Sequence, residues 1–232
     1  MLRVRWLGKV RYQDALALQR ELVEERRTGR IGDLLLLVEH PHVLTLGVRG
    51  DGGRSHIVAS AEALASRSID VHETGRGGDI TYHGPGQIVG YPVIDLNPDR
   101  RDVHRYVRDL EEVVIRVAAD CGVAAGRNAG LTGVWVGQEK LAAIGVRISR
   151  WVTSHGFALN VTTDLDGFRL IVPCGIADRG VTSLARLGCT RSREDVEDRV
   201  VARFAEVFER RPLEATEPVE DLEAAPETGE SR

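Results

Sequence analysis

The chain has 232 residues, 42% of them hydrophobic and 5% aromatic, with 35 acidic and 31 basic side chains for a net charge of −4. That length buries one α/β core or two small ones without disulfide or metal staples, and the composition excludes collagen-like, coiled-coil and wholly disordered chains. The longest strongly apolar run, Leu34 to Val38, falls far short of the roughly 20 residues that span a bilayer. Met1 to Arg5 holds no apolar leader segment. Cys121, Cys174 and Cys189 lack disulfide or zinc spacing, so a reduced, cytoplasmic protein is expected.

In chain order, Tyr12, Ala15, Leu16, Gln19, Leu22 and Val23 recur at helical spacing, which predicts a helix over 12–27 stopped by Gly29. Leu34 to Val38 reads as a buried strand and Val43 to Val48 as a second, after the His40-Pro41 turn. Arg49 to Arg54 reads as a mobile loop, and Ile57 to Asp70 as a short helix and strand. Asp79 to Tyr82 and Ile88 to Leu96 read as strands around a Gly-Pro-Gly turn. The clearest helix covers 102–121, with one apolar stripe from Val103 to Cys121 and Gly122 as its stop. Val134 to Val136, Leu141 to Ser149 and Val152 to Val161 read as strands, and Asp166 to Ile171 is ambiguous. Ser192 opens a last helix with a stripe at Val196, Val200, Phe204, Val207 and Phe208. The expected architecture is one α/β domain over 1–211, with a mixed, largely antiparallel sheet and flanking helices. Residues 212–232 carry seven acids and one base without periodicity and read as a disordered tail.

Without that tail the chain is close to neutral, and no basic run argues for nucleic acid. The cations are lopsided, with Lys9 and Lys140 the only lysines among 31. A high-GC genome explains the bias, yet it draws the eye to Lys140, because arginine does not give up its proton near neutrality.

Four segments carry unusual chemistry. Arg76-Gly77-Gly78-Asp79-Ile80-Thr81-Tyr82-His83-Gly84-Pro85-Gly86-Gln87 combines close backbone approach with polar side chains. It is neither a P-loop nor a dinucleotide fingerprint, and it reads either as a ligand site or as tight turns. Pro173-Cys174-Gly175 places a thiol in a rigid turn at a strand end, where it is either an exposed nucleophile or a buried structural cysteine. Lys140 opens the strand Leu141-Ala142-Ala143-Ile144-Gly145-Val146, either as a solvated edge lysine or as a partly buried amine with a lowered pKa. In Ser154-His155-Gly156-Phe157-Ala158-Leu159-Asn160 the histidine reads as a hydrogen-bonded core residue, with a supporting role at the site as the alternative. His40 also reads as structural, Cys121 as part of its helix stripe, and Cys189 has no assigned role.

Those segments, with Glu39-His40-Pro41, Thr45, Gly47 and Gly90-Tyr91-Pro92, occur in one order over residues 8–190. In that order the chain resembles the lipoyl(octanoyl) transferases of lipoate synthesis. The resemblance implies a fold like that of biotin and lipoate protein ligases. It implies Cys174 as the acyl-thioester nucleophile and Lys140 as the lysine that lowers its pKa. It also implies an acyl site lined by Arg76, Gly77, Gly78, Asp79, Ile80, Thr81, Tyr82, His83, Ala143, Ile144, Gly145, Gly156, Phe157 and Ala158. Small residues, Ala142 among them, are expected to leave the acyl channel open. The implied donor is octanoyl-acyl carrier protein. The implied acceptors are lysines on lipoyl domains of 2-oxoacid dehydrogenases and on the glycine cleavage H protein. No cofactor, metal, nucleic acid or membrane partner is expected. An ATP-dependent lipoate ligase-like enzyme and an inactive lipoyl-domain-binding module are the alternatives.

Overall fold

Leu34 to Val38 are almost wholly buried, and they divide by parity. Leu35 and Leu37 join one core cluster, Leu34, Leu36 and Val38 another. A strand apolar on both faces needs a covering layer on each, and the topology supplies both.

A computed structural model describes residues 1–49, 53–172 and 179–213. In chain order they form β1 (Leu2–Lys9), α1 (Tyr12–Arg27), β2 (Asp33–Glu39), β3 (Val43–Leu46), α2 (Ala61–Ser66), β4 (Asp70–Glu73), β5 (Thr81–His83), β6 (Gln87–Val93), α3 (Val103–Asp120), β7 (Gly126–Asn128), β8 (Leu131–Val136), β9 (Glu139–Ser149), β10 (Val152–Asn160) and α4 (Arg193–Phe208). The main sheet has the order β1-β2-β6-β10-β9-β8-β7. Only its β1–β2 pair is parallel; the pairs β2–β6, β6–β10, β10–β9, β9–β8 and β8–β7 are antiparallel. A small sheet, β4-β3-β5, lies beside it. The expected mixed, largely antiparallel α/β fold is therefore present.

One face of the main sheet packs on the stripe Tyr106, Leu110, Val113, Val114, Val117 and Ala118 of α3 and on Val196, Val200, Phe204 and Phe208 of α4. At about 1.5–3 kcal/mol for each fully buried large apolar side chain, these two helices hold the domain's main core. The opposite face packs on Ala15 and Leu22 of α1. Both α3 and α4 start on a side-chain cap: Asp102 accepts the Arg105 N–H at 3.0 Å and Ser192 the Asp195 N–H at 3.1 Å.

The strands β1 and β7 were not expected from the sequence. In β1 the alternation Leu2-Arg3-Val4-Arg5-Trp6 is a period-2 signal masked by its arginines, which suit an edge strand. The strand expected over 79–82 is shifted to β5, β3 stops two residues early, and residues 165–170 form a 3₁₀ helix. Residues 50–52 of the expected loop, Pro173 to Asp178 with Cys174, and residues 214–232 of the expected tail lie outside the described residues.

The chain stays on the domain past residue 211. Arg211 accepts the Leu2 N–H at 2.8 Å and Leu213 donates to the Leu2 carbonyl at 2.8 Å. A truncation after Leu213 should therefore keep its melting temperature within about 2 °C, whereas one after Phe208 strips these bonds from β1 and should lower it by about 4 °C or more. Thermal denaturation of the two truncations checks this.

Candidate active site

A cavity of about 190 Å³ opens on the α1 side of the main sheet, where the small sheet meets β9 and β10. Its walls include Arg76, Gly78, Asp79, Ile80, Thr81 and His83 of the glycine-rich segment, Lys140, Ala143, Ile144 and Gly145 of β9, and His155, Gly156, Phe157 and Ala158 of β10. Three of the four sequence segments, far apart in the chain, thus meet at one place. Gly77 and Tyr82 are not on the wall. In β5, Thr81 and His83 face the cavity and Tyr82 alternates away from it. Its hydroxyl lies 2.6 Å from His42 Nδ1 and its ring stands edge-on to Phe168 at 5.1 Å. Gly77 instead donates its N–H to the Val146 carbonyl at 2.8 Å, tying the loop to β9. Ala142 lies on the other face, in the cluster under α3.

The small residues of this wall do more than leave room. A Cβ on Gly47 would sit 2.1 Å from the Gly78 carbonyl oxygen, and one on Gly156 2.2 Å from that of Gly90. These glycines let backbone lie on backbone, which draws the glycine-rich loop and β6 tight around the cavity. Arg76 completes the closure. Its NH1 donates to the carbonyls of Asp79 at 2.7 Å and Gly77 at 3.1 Å, and its NH2 to the carbonyl and hydroxyl of Thr45 at 2.6 and 2.9 Å. The arginine staples its own loop to β3 while forming part of the wall. Asp79 accepts the Ile80 N–H at 2.7 Å and lies 2.8 Å from His56 Nδ1.

A chain of hydrogen bonds with one direction runs beneath the wall. Arg76 donates to the Thr45 hydroxyl, which lies 3.3 Å from His83 Nε2; His83 Nδ1 donates to Gln87 Oε1 at 2.7 Å, Gln87 Nε2 to Asn160 Oδ1 at 2.9 Å, and Asn160 Nδ2 to the Thr182 carbonyl at 3.0 Å. His40 Nδ1 donates to the Val10 carbonyl at 2.7 Å, which leaves Nε2 to accept from the Tyr91 hydroxyl at 2.7 Å. His40, expected to be structural, is so; Glu39 beside it holds the Gly86 N–H and Arg193 of α4.

Burial keeps three imidazoles neutral. It lowers His40 to about 4, against the opposing pull of the Val10 bond and Glu39. It lowers His83 to about 3 with help from His40, and His155 to about 4 with help from the guanidiniums of Arg76, Arg147 and Arg20. Between about pH 6.5 and 4 the unfolded chain binds protons on these rings that the folded chain refuses, so stability falls as pH drops through that window. Each ring adds a slope of about 1.4 kcal/mol per pH unit. Thermal melts should be flat near pH 7 and fall steeply below about pH 6, and His83→Asn should remove about a third of that slope. A transition temperature unchanged between pH 7 and 5 would contradict the neutral assignment.

At the other end of the cavity, Lys140 Nζ lies 4.8 Å from the centre of the Trp135 ring. Its N–H donates to the Gly180 carbonyl at 2.9 Å, and its carbonyl accepts from Thr182 at 3.0 Å. Gly133 lies beside the Lys140 side chain, where an added Cβ would come 3.5 Å from its Cε, and its N–H donates to the buried carboxylate of Glu111 at 3.0 Å. Cys174 lies outside the described residues, but both its flanks are placed. Val172 donates to the His56 carbonyl at 2.8 Å, and Gly180 is paired with Lys140.

Tyr12, Arg49, Val89, Tyr91, Gly130, Leu131, Thr132, Phe168 and Val181 also line the cavity and were not expected there. Val89 and Tyr91 carried a usable signal. Val89 is paired with Ala158, and Tyr91 follows on the same face of β6. No local pattern marks the others. Among the described residues no cluster of three or more His, Cys, Asp or Glu is placed to hold a metal ion, and no helix is long and apolar enough to cross a membrane.

Residues 11–205 match the family described as the lipoyl protein ligase A/B catalytic domain. A protein of Solibacter usitatus named octanoyltransferase is 51% identical over 206 residues, 89% of this chain and 92% of that one. One of Myxococcus xanthus with the same name is 51% identical over 226 residues, 94% of this chain, which spans 63% of that relative's length. The bipartite lipoate protein ligase of an archaeal lipoylation system from Thermoplasma acidophilum shares the fold at 17% identity, TM-score 0.69, over 94% of this chain and 86% of its own. A biotin protein ligase of Aquifex aeolicus does so at 13% identity, TM-score 0.53, over 90% and 70%.

Proposed function

This chain belongs to the lipoyl protein ligase A/B catalytic-domain family, and from that premise we propose that it transfers an octanoyl group from octanoyl-acyl carrier protein to a lysine of a lipoyl domain through an acyl-enzyme on Cys174. The observation that carries the reading is the cavity: an open-mouthed pocket with Phe157, Val89, Ala158 and Ile144 in its wall and Lys140, the flank of Cys174 paired to it, at one end. Burying about six methylenes of an octanoyl tail there is worth about 5 kcal/mol. That anchors the reacting carbonyl at the lysine.

The Cys174 thiolate attacks the donor thioester carbonyl. The carbon–sulfur bond to the carrier's phosphopantetheine breaks, and the leaving thiolate takes a proton from the Lys140 ammonium. The acyl group now rides on Cys174. The acceptor lysine, whose amine has an ordinary pKa of about 10.4, must lose a proton to attack. That first proton goes to solvent. The neutral amine attacks the thioester carbonyl, the now neutral Lys140 takes the second proton as the amide forms, and the carbon–sulfur bond breaks to release the Cys174 thiolate. Both half-reactions exchange one thioester bond or convert it to an amide, so the acyl group arrives already activated and ATP has no task. Such a carrier-borne donor and a lipoyl-domain acceptor fit a cytoplasmic setting.

Mixing the protein with octanoyl-acyl carrier protein in the absence of ATP should add one octanoyl group to its intact mass. Addition of a lipoyl domain should then move that group to the acceptor. Transfer that requires ATP would assign the ligase reaction instead, and the absence of any adduct would point to a binding module.

A further inference from the structure

Among the described residues, His155 alone lines both the acyl cavity and a second cavity of about 290 Å³ behind it. The two differ in chemistry. The second is largely polar: Arg20, Arg147, Ser149, Ser154 and the amide of Gln19 line it, with Leu16 and Val23 as its apolar part. Gln19 is 1% exposed, and its Nε2 has no hydrogen-bond partner.

The partition is built. His155 sits inside β10 with φ +55, a backbone conformation that side chains other than glycine's rarely adopt. Its N–H donates to Gln19 Oε1 at 2.8 Å, and its ring stands edge-on to Tyr91 at 6.4 Å. The ring is therefore aimed by an uncommon backbone and held from α1.

Its position matches a length. His155 pairs with Val146 on β9, six residues from Lys140, which is about 20 Å at roughly 3.3 Å per residue. An eight-carbon chain covers about 9 Å of that with C–C bonds near 1.5 Å, and it fits between the two residues with the Lys140 ammonium held over the Trp135 ring at one end and the imidazole at the other.

Resting on the octanoyl-transfer reading above, we propose that the His155 ring is the end wall that stops the acyl chain near eight carbons, and that the chamber behind it is a cationic subsite fit for an acyl chain ending in a carboxylate. A methylene pressed against a pocket wall changes reactivity by roughly 10–200-fold. A longer alkyl chain would also have to displace the ring and enter a polar chamber flanked by the Arg20 and Arg147 guanidiniums and the unpartnered Gln19 amide.

The test uses carrier proteins loaded with hexanoyl, octanoyl, dodecanoyl and ω-carboxydodecanoyl groups, with kcat/KM for acyl-enzyme formation as the readout. His155→Gly suits the positive φ and removes the ring. It should raise the dodecanoyl-to-octanoyl ratio by at least about 10-fold, and the ω-carboxyl substrate should gain about 10-fold more than plain dodecanoyl. Adding Arg147→Glu should erase the ω-carboxyl gain, while Arg147→Glu alone leaves octanoyl transfer within about 3-fold, since Arg147 lines only the second chamber. His155→Trp, with a larger ring, should favour hexanoyl over octanoyl and stands as the second measure if the glycine variant does not fold. Unmoved chain-length preference in both variants would overturn the wall, and a dodecanoyl gain without the carboxylate gain would overturn the subsite. Failure of the wild-type protein to accept octanoate would instead overturn the activity itself.

Discussion

Cys174→Ala is expected to abolish acyl-enzyme formation and to slow octanoyl transfer by about 10⁴-fold or more, the scale on which loss of a catalytic nucleophile is felt. The adduct on the wild-type protein should be labile to hydroxylamine, as a thioester is. Cys121→Ala and Cys189→Ala should still form it. The structure separates these thiols from the chemistry. Cys121 closes α3, and Cys189 packs with it against the α3–α4 core. Burial, together with the neighbouring Cys189, pushes the Cys121 thiol up to about 12, so it is protonated and a poor nucleophile at pH 7. Intact mass with and without hydroxylamine decides the matter, and an adduct that persists in Cys174→Ala would move the nucleophile elsewhere.

The second large effect is expected at Lys140. Arginine at this position keeps a cation and its attraction to the Trp135 face, but it does not release a proton near neutrality. General acid–base help is worth about 10²–10⁴ in rate. Lys140→Arg should therefore keep an alkylation-reactive Cys174 yet transfer octanoate at least about 10²-fold more slowly. Lys140→Met, close in length and uncharged, should lose both. The measurement is the pH dependence of Cys174 alkylation beside single-turnover transfer for the three proteins. Transfer by Lys140→Arg at near wild-type rate would reduce the lysine to an electrostatic neighbour of the thiolate.

Much of this architecture was legible because its signals are local. The stripe of α3 repeats every three to four residues, Ser192 caps α4, and Leu34 to Val38 is apolar throughout. The ordered motifs did more. Arg76 to His83, Lys140, Ala143 to Gly145 and His155 to Ala158 carry little meaning apart, and almost all of them meet at one cavity. The strand β1 escaped because a charged edge strand has only one neighbour to satisfy, and its arginines hide the alternation. Its partner β2 lies beyond a whole helix.

Composition and periodicity by themselves determined the class of fold, the main helices and most of the buried strands, because each follows from how residues a few positions apart share a face; the segments expected to carry chemistry were singled out by their order and their family resemblance. The tertiary structure alone decided what those residues do for one another. It turned Tyr82 away from the cavity and His83 toward it, because strand parity has no sign until the sheet has a neighbour. It made Arg76 a staple of its own loop, since Thr45 is 31 residues distant in the chain. It brought Tyr12 to the site on α1 and set His155 between two chambers, aimed by a backbone angle and a Gln19 bond 136 residues away. Contacts of that range are formed when whole layers pack, and no local pattern of side chains encodes them.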